Sequence, residues 1–247
     1  MTKSFSLDSD FKEFFDTNGF CLIDGVDSSK IDSILNSLMS IIHLPKEPVA
    51  RQAFNHALSN PDWNSRSKRM WDSPSLLSFF SSDFILQILK GLGLSCPIWS
   101  TRPEVRLDFP GAEAFTQPWH QDFMYSQTSL NSVTFWLPLH DVTISDGALQ
   151  VIPASHRAGL YQFDVLTNPR RFSIPTHALT GNNLNVEMKK GQIIVFSQFL
   201  AHRSGINSSH DVRVSVQGRF ADMDCAFFKE GNFSSTDPKN MQLLRKL

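Results

Sequence analysis

The pattern His120-Gln121-Asp122, with His202 standing 80 positions after Asp122 and Arg213 a further 11 positions on, constrains this chain more than any other feature. Two imidazoles and one carboxylate can occupy one face of an octahedral divalent ion and leave the remaining positions open. They can do so only in a topology that carries a remote segment back beside the first pair. In an extended strand residues i and i+2 share a side, so the spacing predicts that His120 and Asp122 face the ion while Gln121 turns away. His202 comes shortly after Gly191-Gln192-Ile193-Ile194-Val195-Phe196, which reads as a turn and a buried strand. A barrel-like fold delivers the end of that strand to the first pair.

Arg213 lies in Val212-Arg213-Val214-Ser215-Val216, whose alternation predicts a half-buried strand next to the metal. A guanidinium buried there is costly unless it meets an anion. Its planar fork suits the carboxylate of a chelating cosubstrate. An acidic side chain such as Asp211 or Asp222 would satisfy it as well.

The rest of the chain divides into a helical front and a strand-rich body. Phe11, Phe14 and Phe15 fall at helical spacing before the stop at Asn18-Gly19, and Phe20 to Ile23 reads as a first strand. Ile31, Ile34, Leu35, Leu38 and Ile42 predict an amphipathic helix over 28–42, with serines available as caps. A second runs over 75–90 and stops at Gly91. Between them 45–71 is polar and Pro-punctuated, either a loop-rich insert covering the site or a plain surface connection. From Ile98 onward short strand-like runs recur over 101–109, 133–139, 148–152, 192–196 and 212–220. That spacing suits an eight-stranded jelly roll rather than alternating βα units. The reading is a mainly β, cupin-like domain with flanking helices spanning 1–247. Residues 1–97 form a front part packing on the sheet, 98–222 the core with the metal site, and 223–247 a C-terminal tail. The long segment 164–185 between the ligand-bearing halves is expected to border the substrate.

With 247 residues, 41% of them hydrophobic, the chain can bury one continuous core. A formal net charge of −1 gives no basic field for nucleic acid or membrane phosphates. Lys68 and Arg69, with Arg66, read as a solvated loop rather than a phosphate track. No apolar run reaches the ~18 residues of a membrane span and the N-terminus has no secretion signal, so the expectation is a cytoplasmic protein. Cys21, Cys96 and Cys225 are too few and too widely spaced for a zinc or disulfide framework. His43, His56, His140, His156, His177 and His210 have no ligand-like partners and read as solvated or locally bonded.

Between Arg102 and Asp222 several stretches add to this pattern: Pro110-Gly111, Trp119-His120-Gln121-Asp122, Trp136, Asp146-Gly147-Ala148-Leu149-Gln150-Val151-Ile152-Pro153-Ala154-Ser155-His156, and Lys190-Gly191 with His202, Ser204 and Arg213. In order and spacing the chain resembles the phytanoyl-CoA dioxygenase family of Fe(II)- and 2-oxoglutarate-dependent oxygenases. The resemblance implies a double-stranded β-helix in which His120, Asp122 and His202 hold Fe(II). It further implies that Arg213 grips the distal carboxylate of 2-oxoglutarate beside Ser204, and that Gln121 and Trp136 line the cosubstrate pocket. On their own, Gln121 reads equally as a solvent-facing amide and Trp136 as a core indole. Family members often have a Lys shortly before Pro-Gly. This chain has Val105-Arg106-Leu107-Asp108-Phe109 there, so Arg106 either takes over as a cation for cosubstrate or substrate or is a salt-bridged strand residue. Relatives that halogenate have a small residue where Asp122 stands. The implied reaction is therefore hydroxylation of an unactivated C–H bond of a small-molecule metabolite, consuming O2 and 2-oxoglutarate and releasing succinate and CO2. The alternatives are a metal-dependent cupin-type isomerase or lyase, and a non-catalytic jelly-roll binding protein. The oligomeric state is open.

Overall fold

Alternation along the strands sends successive side chains into two cores on opposite faces of one sheet. The computed structural model describes residues 3–43, 54–55, 57, 67–113, 116–167 and 170–231. Most of 45–71, with Arg66 and His56, and the tail beyond 231 lie outside the described residues. In chain order the strands are β1 (Ser4–Phe5), β2 (Phe20–Asp24), β3 (Pro97–Trp99), β4 (Glu104–Asp108), β5 (Val133–Pro138), β6 (Leu149–Val151), β7 (Asp164–Thr167), β8 (Arg170–Ser173), β9 (Leu184–Val186), β10 (Gln192–Ser197), β11 (His202–Ser204) and β12 (Arg213–Asp222). The helices are α1 (Lys12–Asn18), α2 (Ser28–Ile41), α3 (Pro74–Phe80), α4 (Asp83–Gly91), α5 (Phe123–Ser126) and α6 (Ala226–Lys229).

Seven strands form the main sheet in the order β1-β2-β10-β5-β12-β3, with β4 also pairing β12, and β11-β6-β9 form a second sheet. Among the described residues β7 and β8 pair only with each other. Cys21, Ile23, Phe135, Leu137, Ile193, Val195, Val214 and Val216 point into one cluster with the apolar faces of α2, α3 and α4. Their neighbours Phe20, Leu22, Trp136, Ile194 and Phe196 pack instead against Leu149, Val151 and Val186 of the second sheet. The result is the mainly β architecture with flanking helices that the sequence predicts, two sheets making the walls of a jelly roll. The front part is more than a helical cover, because β1 and β2 are strands of the main sheet.

The local signals act as physical chemistry dictates, with three departures. Gly19 ends α1 in the left-handed region at φ 80°, its N–H reaching Phe15 O at 2.7 Å. The cap of α2 is not a serine but Asp27, whose carboxylate accepts from Ser29 N at 2.8 Å. The helix expected over 75–90 is two, α3 and α4, because Ser82 adopts an extended conformation at φ −76°, ψ 157° and restarts the helix at Asp83. Finally, β12 is buried along its whole length rather than on one face. It runs between β5 and β4/β3, with helices on one side and the cavity on the other. Cys21, Cys96 and Cys225 are free thiols. Among the described residues no helix is long and apolar enough to cross a membrane.

Candidate metal centre and its pocket

His120 and His202 meet as one isolated antiparallel bridge between backbones. His120 N–H donates to His202 O at 2.9 Å and His202 N–H to His120 O at 3.0 Å. The expected strand through His120 and Asp122 is not formed. After the bridge the chain turns into α5, and Asp122, at φ −65°, ψ −24°, is the residue from which that helical turn starts. The turn closes through Met124 N to Gln121 O and Tyr125 N to Asp122 O. It still swings the Asp122 carboxylate to the histidines, and one ligand atom from each of His120, Asp122 and His202 lies within 4.8 Å of the others, all three residues buried.

The imidazoles are oriented by main-chain carbonyls. His120 Nδ1 lies 2.8 Å from Pro118 O and His202 Nδ1 2.9 Å from Leu200 O. A carbonyl only accepts, so each Nδ1 carries the proton and each Nε2 presents its lone pair inward, the arrangement a metal-ligating histidine needs. Nε2 of His120 is 3.5 Å and of His202 3.9 Å from Asp122 Oδ1. Burial, and then the proximity of His120, push His202 down to about 3, so it is neutral at physiological pH. Burial opposes ionisation of Asp122, but the Arg219 guanidinium outweighs it and holds the carboxyl well below the usual carboxylate range.

Arg219 was not among the sequence candidates. Its Nε donates to Asp122 Oδ2 at 3.0 Å, Nη2 to Asp122 Oδ1 at 3.2 Å and Nη1 to Glu104 Oε1 at 3.0 Å. Thr134 Oγ1 adds a hydrogen bond to Asp122 Oδ2 at 2.7 Å. Arg219 and Thr134 are cross-strand neighbours on β12 and β5, so sheet register alone aims both at one carboxylate. The signal that could have found Arg219 is periodicity: it lies six positions from Arg213, on the same face of one strand.

A cavity of about 590 Å³ opens at the triad, with His120, His202, Trp136, Ser204, Arg106 and Arg219 in its walls. Arg213, 1% exposed, lies behind Trp136 with its guanidinium 5.7 Å from that ring. Its ion partner is neither Asp211 nor Asp222 but Asp108, directly opposite across β4 and β12, with Nη2 2.7 Å from Oδ2. Asp222 is occupied by Asn131 and the N–H groups of Ser95 and Cys96, and Asp211 by Asn55. Burial raises Asp108, but Arg106, at 2.7 Å, and Arg213 bring it down to about 2. Even so, Arg213 Nε and Nη1 have no hydrogen-bond partner among the described residues. Two unpaired donors on a buried cation near three convergent ligands fit a divalent metal and a chelator that carries a further carboxylate.

Two expected participants are elsewhere. Gln121 does not line the cavity: it is fully buried, its Nε2 donates to Gly159 O and Phe199 O at 2.8 and 2.6 Å, and its Oε1 accepts from Tyr161 N at 2.9 Å. Once Asp122 faces the histidines its neighbour must point back into the protein, where those backbone groups consume the whole amide. Among its described residues the segment 164–185 contributes none to the lining of this cavity, and its strands β7 and β8 pair as a hairpin. The rim is built instead by Lys68, Arg69, Trp71 and Asp72, together with Thr101 and Arg102. Of the remaining histidines, His156 bonds Asp16 O and His140 accepts from Val214 N.

The family model described as "Phytanoyl-CoA dioxygenase (PhyH)" matches residues 15–215. Peroxisomal phytanoyl-CoA dioxygenase of Bos taurus is 29% identical over 124 residues, covering 47% of this chain and 37% of the relative. The 1-deoxypentalenic acid 11-beta-hydroxylase of Streptomyces arenae is 25% identical over 163 residues, covering 61% and 55%. The chain thus spans between about a third and a half of the length of these relatives. Among solved structures, the epimerase SnoN in complex with Fe3+, alpha ketoglutarate and nogalamycin RO superposes with a TM-score of 0.57 at 18% identity, covering 86% of this chain and 82% of SnoN. At that identity the likeness speaks for the fold.

Proposed function

Because the chain belongs to the phytanoyl-CoA dioxygenase family, we propose that its cavity binds Fe(II) on His120, Asp122 and His202 and 2-oxoglutarate on Arg213, and hydroxylates a C–H bond of a small-molecule metabolite. When bound, iron and 2-oxoglutarate supply the activation of O2 and the C–H oxidation, the oxoacid leaving as succinate and CO2. The observation that carries this reading is the pair of unpartnered donors on buried Arg213. A metal triad alone would serve a cupin isomerase or lyase equally well, whereas a guanidinium left half-satisfied beside it has a use only where an anionic cosubstrate arrives.

The protein's share is placement and charge. The Nδ1 bonds to Pro118 O and Leu200 O fix both imidazoles, Thr134 and Arg219 fix Asp122, and Ser204 lies in the cavity wall. Trp136 separates Arg213 from open solvent, so the cosubstrate carboxylate is held in a region of low dielectric. Arg106 belongs to the anchor through Asp108, which it neutralises together with Arg213. A cytoplasmic setting without nucleic-acid or membrane partners, read from composition, is part of the proposal.

The test is an anaerobic titration with Fe(II) and then 2-oxoglutarate, recording the weak visible charge-transfer band of a chelated oxoacid. Wild type should show the band, Asp122→Ala should lose it, and Arg213→Met should need far more 2-oxoglutarate to reach it. Iron binding without any band would remove the 2-oxoglutarate reading. Turnover of a substrate without O2 and 2-oxoglutarate would establish the isomerase in its place.

A further inference from the structure

We propose that the substrate carries an anionic group, a carboxylate or phosphate, that docks on Lys68 and Arg69 at the mouth of the cavity while the carbon to be oxidised reaches inward to the triad. This substrate class rests on the oxygenase reading above.

From the sequence, Lys68 and Arg69 are expected in a solvated loop. They stand in the turn that enters the Met70–Asp72 helical segment, exposed to solvent, yet they line the same cavity as His120 and His202. The other cations around this cavity are matched. Arg102 pairs with Asp72 at 2.5 Å, Arg106 and Arg213 each approach Asp108 to 2.7 Å, and Arg219 is held at 3.0 Å by both Glu104 and Asp122. Four guanidinium groups therefore face four carboxylates. Lys68 and Arg69 have no ion partner among the described residues. Fe(II) and the 2-oxoglutarate dianion cancel each other, so among the described residues the loaded site keeps two unmatched positive charges, Lys68 and Arg69. The cavity is a low-dielectric cleft, which focuses that charge on whatever enters.

The distribution of apolar lining agrees. The rings of Tyr125 and Phe196 lie 5.8 Å from His120 and 4.6 Å from His202, and Trp71 follows the two cations in the chain and lines the same cavity. A molecule with a hydrocarbon or ring portion and one charged end would enter apolar part first. The volume of about 590 Å³ admits a small metabolite.

The test uses inorganic phosphate as probe, on protein saturated with 2-oxoglutarate, with Mn(II) added to the triad as a relaxation agent. Phosphorus-31 linewidth reports binding, and the extra relaxation caused by Mn(II) reports that the anion sits in the metal's cavity. Wild type should give a saturable effect. Lys68→Glu/Arg69→Glu, altered only at exposed side chains, should weaken it at least about tenfold, whereas Lys12→Glu on α1 should leave it unchanged. Absence of saturable phosphate binding in wild type, or equal binding by the double variant, overturns the proposal. The Fe(II)–2-oxoglutarate band is recorded on the same proteins. If wild type lacks it, the oxygenase reading fails, a result distinct from failure of the phosphate arm. If only the double variant loses it, the two cations serve the cosubstrate and the substrate proposal is overturned. Carbon-13 acetate, titrated in parallel, tells a carboxylate-selecting mouth from a phosphate-selecting one.

Discussion

On its helix side β12 presents Val214, Val216 and Phe220 to the cluster that holds α2, α3 and α4, and on its cavity side the same strand presents Arg213, Ser215, Gln217 and Arg219. All of these are at most 8% exposed, so burial does not tell the faces apart. What does is satisfaction. The helix face is filled to contact: a Cβ added at Gly218 would come within 2.7 Å of Phe80 Cδ1. The cavity face keeps polar atoms without partners, on Arg213 and on Ser215 Oγ. One face is finished by the protein itself, and the other, on the reading proposed above, is finished by its cosubstrate.

This difference can be broken most directly by a matched pair of variants. Phe80→Ala should cost about 3–5 kcal/mol of folding stability through cavity formation. Arg219→Met should cost a similar ~3–5 kcal/mol by leaving Asp122 and Glu104 buried without their shared cation. Chemical denaturation with and without Mn(II) separates the two: metal should restore much of the loss in Arg219→Met, where it replaces positive charge beside Asp122, and add no more to Phe80→Ala than to wild type. Equal recovery in both would show that the two faces are not distinct in this sense. Next in size, Arg213→Met should weaken 2-oxoglutarate binding by about 1.5–3 kcal/mol, read from the charge-transfer titration. An unchanged affinity would remove Arg213 as the anchor. Ser204→Ala, which removes one neutral hydrogen bond, should weaken the same affinity by only about 0.5–1.5 kcal/mol.

The smallest expected effect is one of pH. His202 has a folded-state value of about 3 against an ordinary 6.5, so the unfolded chain binds its proton first as pH falls. The stability that neutral His202 contributes is therefore complete above the unfolded value and is lost as pH drops from about 6.5 toward 3. Between pH 7 and 6 the metal-free protein should lose roughly half a kcal/mol from this group. His202→Gln should flatten the slope of denaturation midpoint against pH by that amount, and an unaltered slope would mean that His202 is not held neutral.

The two faces were not equally legible in the sequence. The helix face was, because the period-3.6 pattern of α2 and the apolar runs of β5 and β10 leave few ways to bury them. On the cavity face the convergence of His120, Asp122 and His202 was legible from residue type and spacing, as was a strand carrying Arg213. Their local geometry was not, since an HxD pair reads as a strand whether or not the chain turns after it, and here the turn of α5 intervenes. Arg219 is placed by the same alternation as Arg213, but its partner Asp122 is brought opposite it only by the fold, so spacing alone does not single it out. Asp108 was noted only as a departure from an expected lysine. Its role depends on register, which puts it opposite Arg213, and pairing across strands is not written in either strand alone. Gln121 misled for the opposite reason: a polar residue between two ligands suggests chemistry, while its amide is spent on the backbone of two loops.

The bridge between His120 and His202 has a consequence for how such a site can change over generations. Each ligand's backbone is hydrogen-bonded to the other's, so the distance between the two imidazoles is set by a single rung of main chain and not by the path that links them. The segments between β6 and β10 that lie off the main sheet, the β7–β8 hairpin included, can be lengthened, shortened or rewritten, provided β5, which carries Thr134 and Trp136, and β10 keep their places beside that rung. A lineage could thus trade one substrate for another by remodelling loops while inheriting its metal chemistry intact.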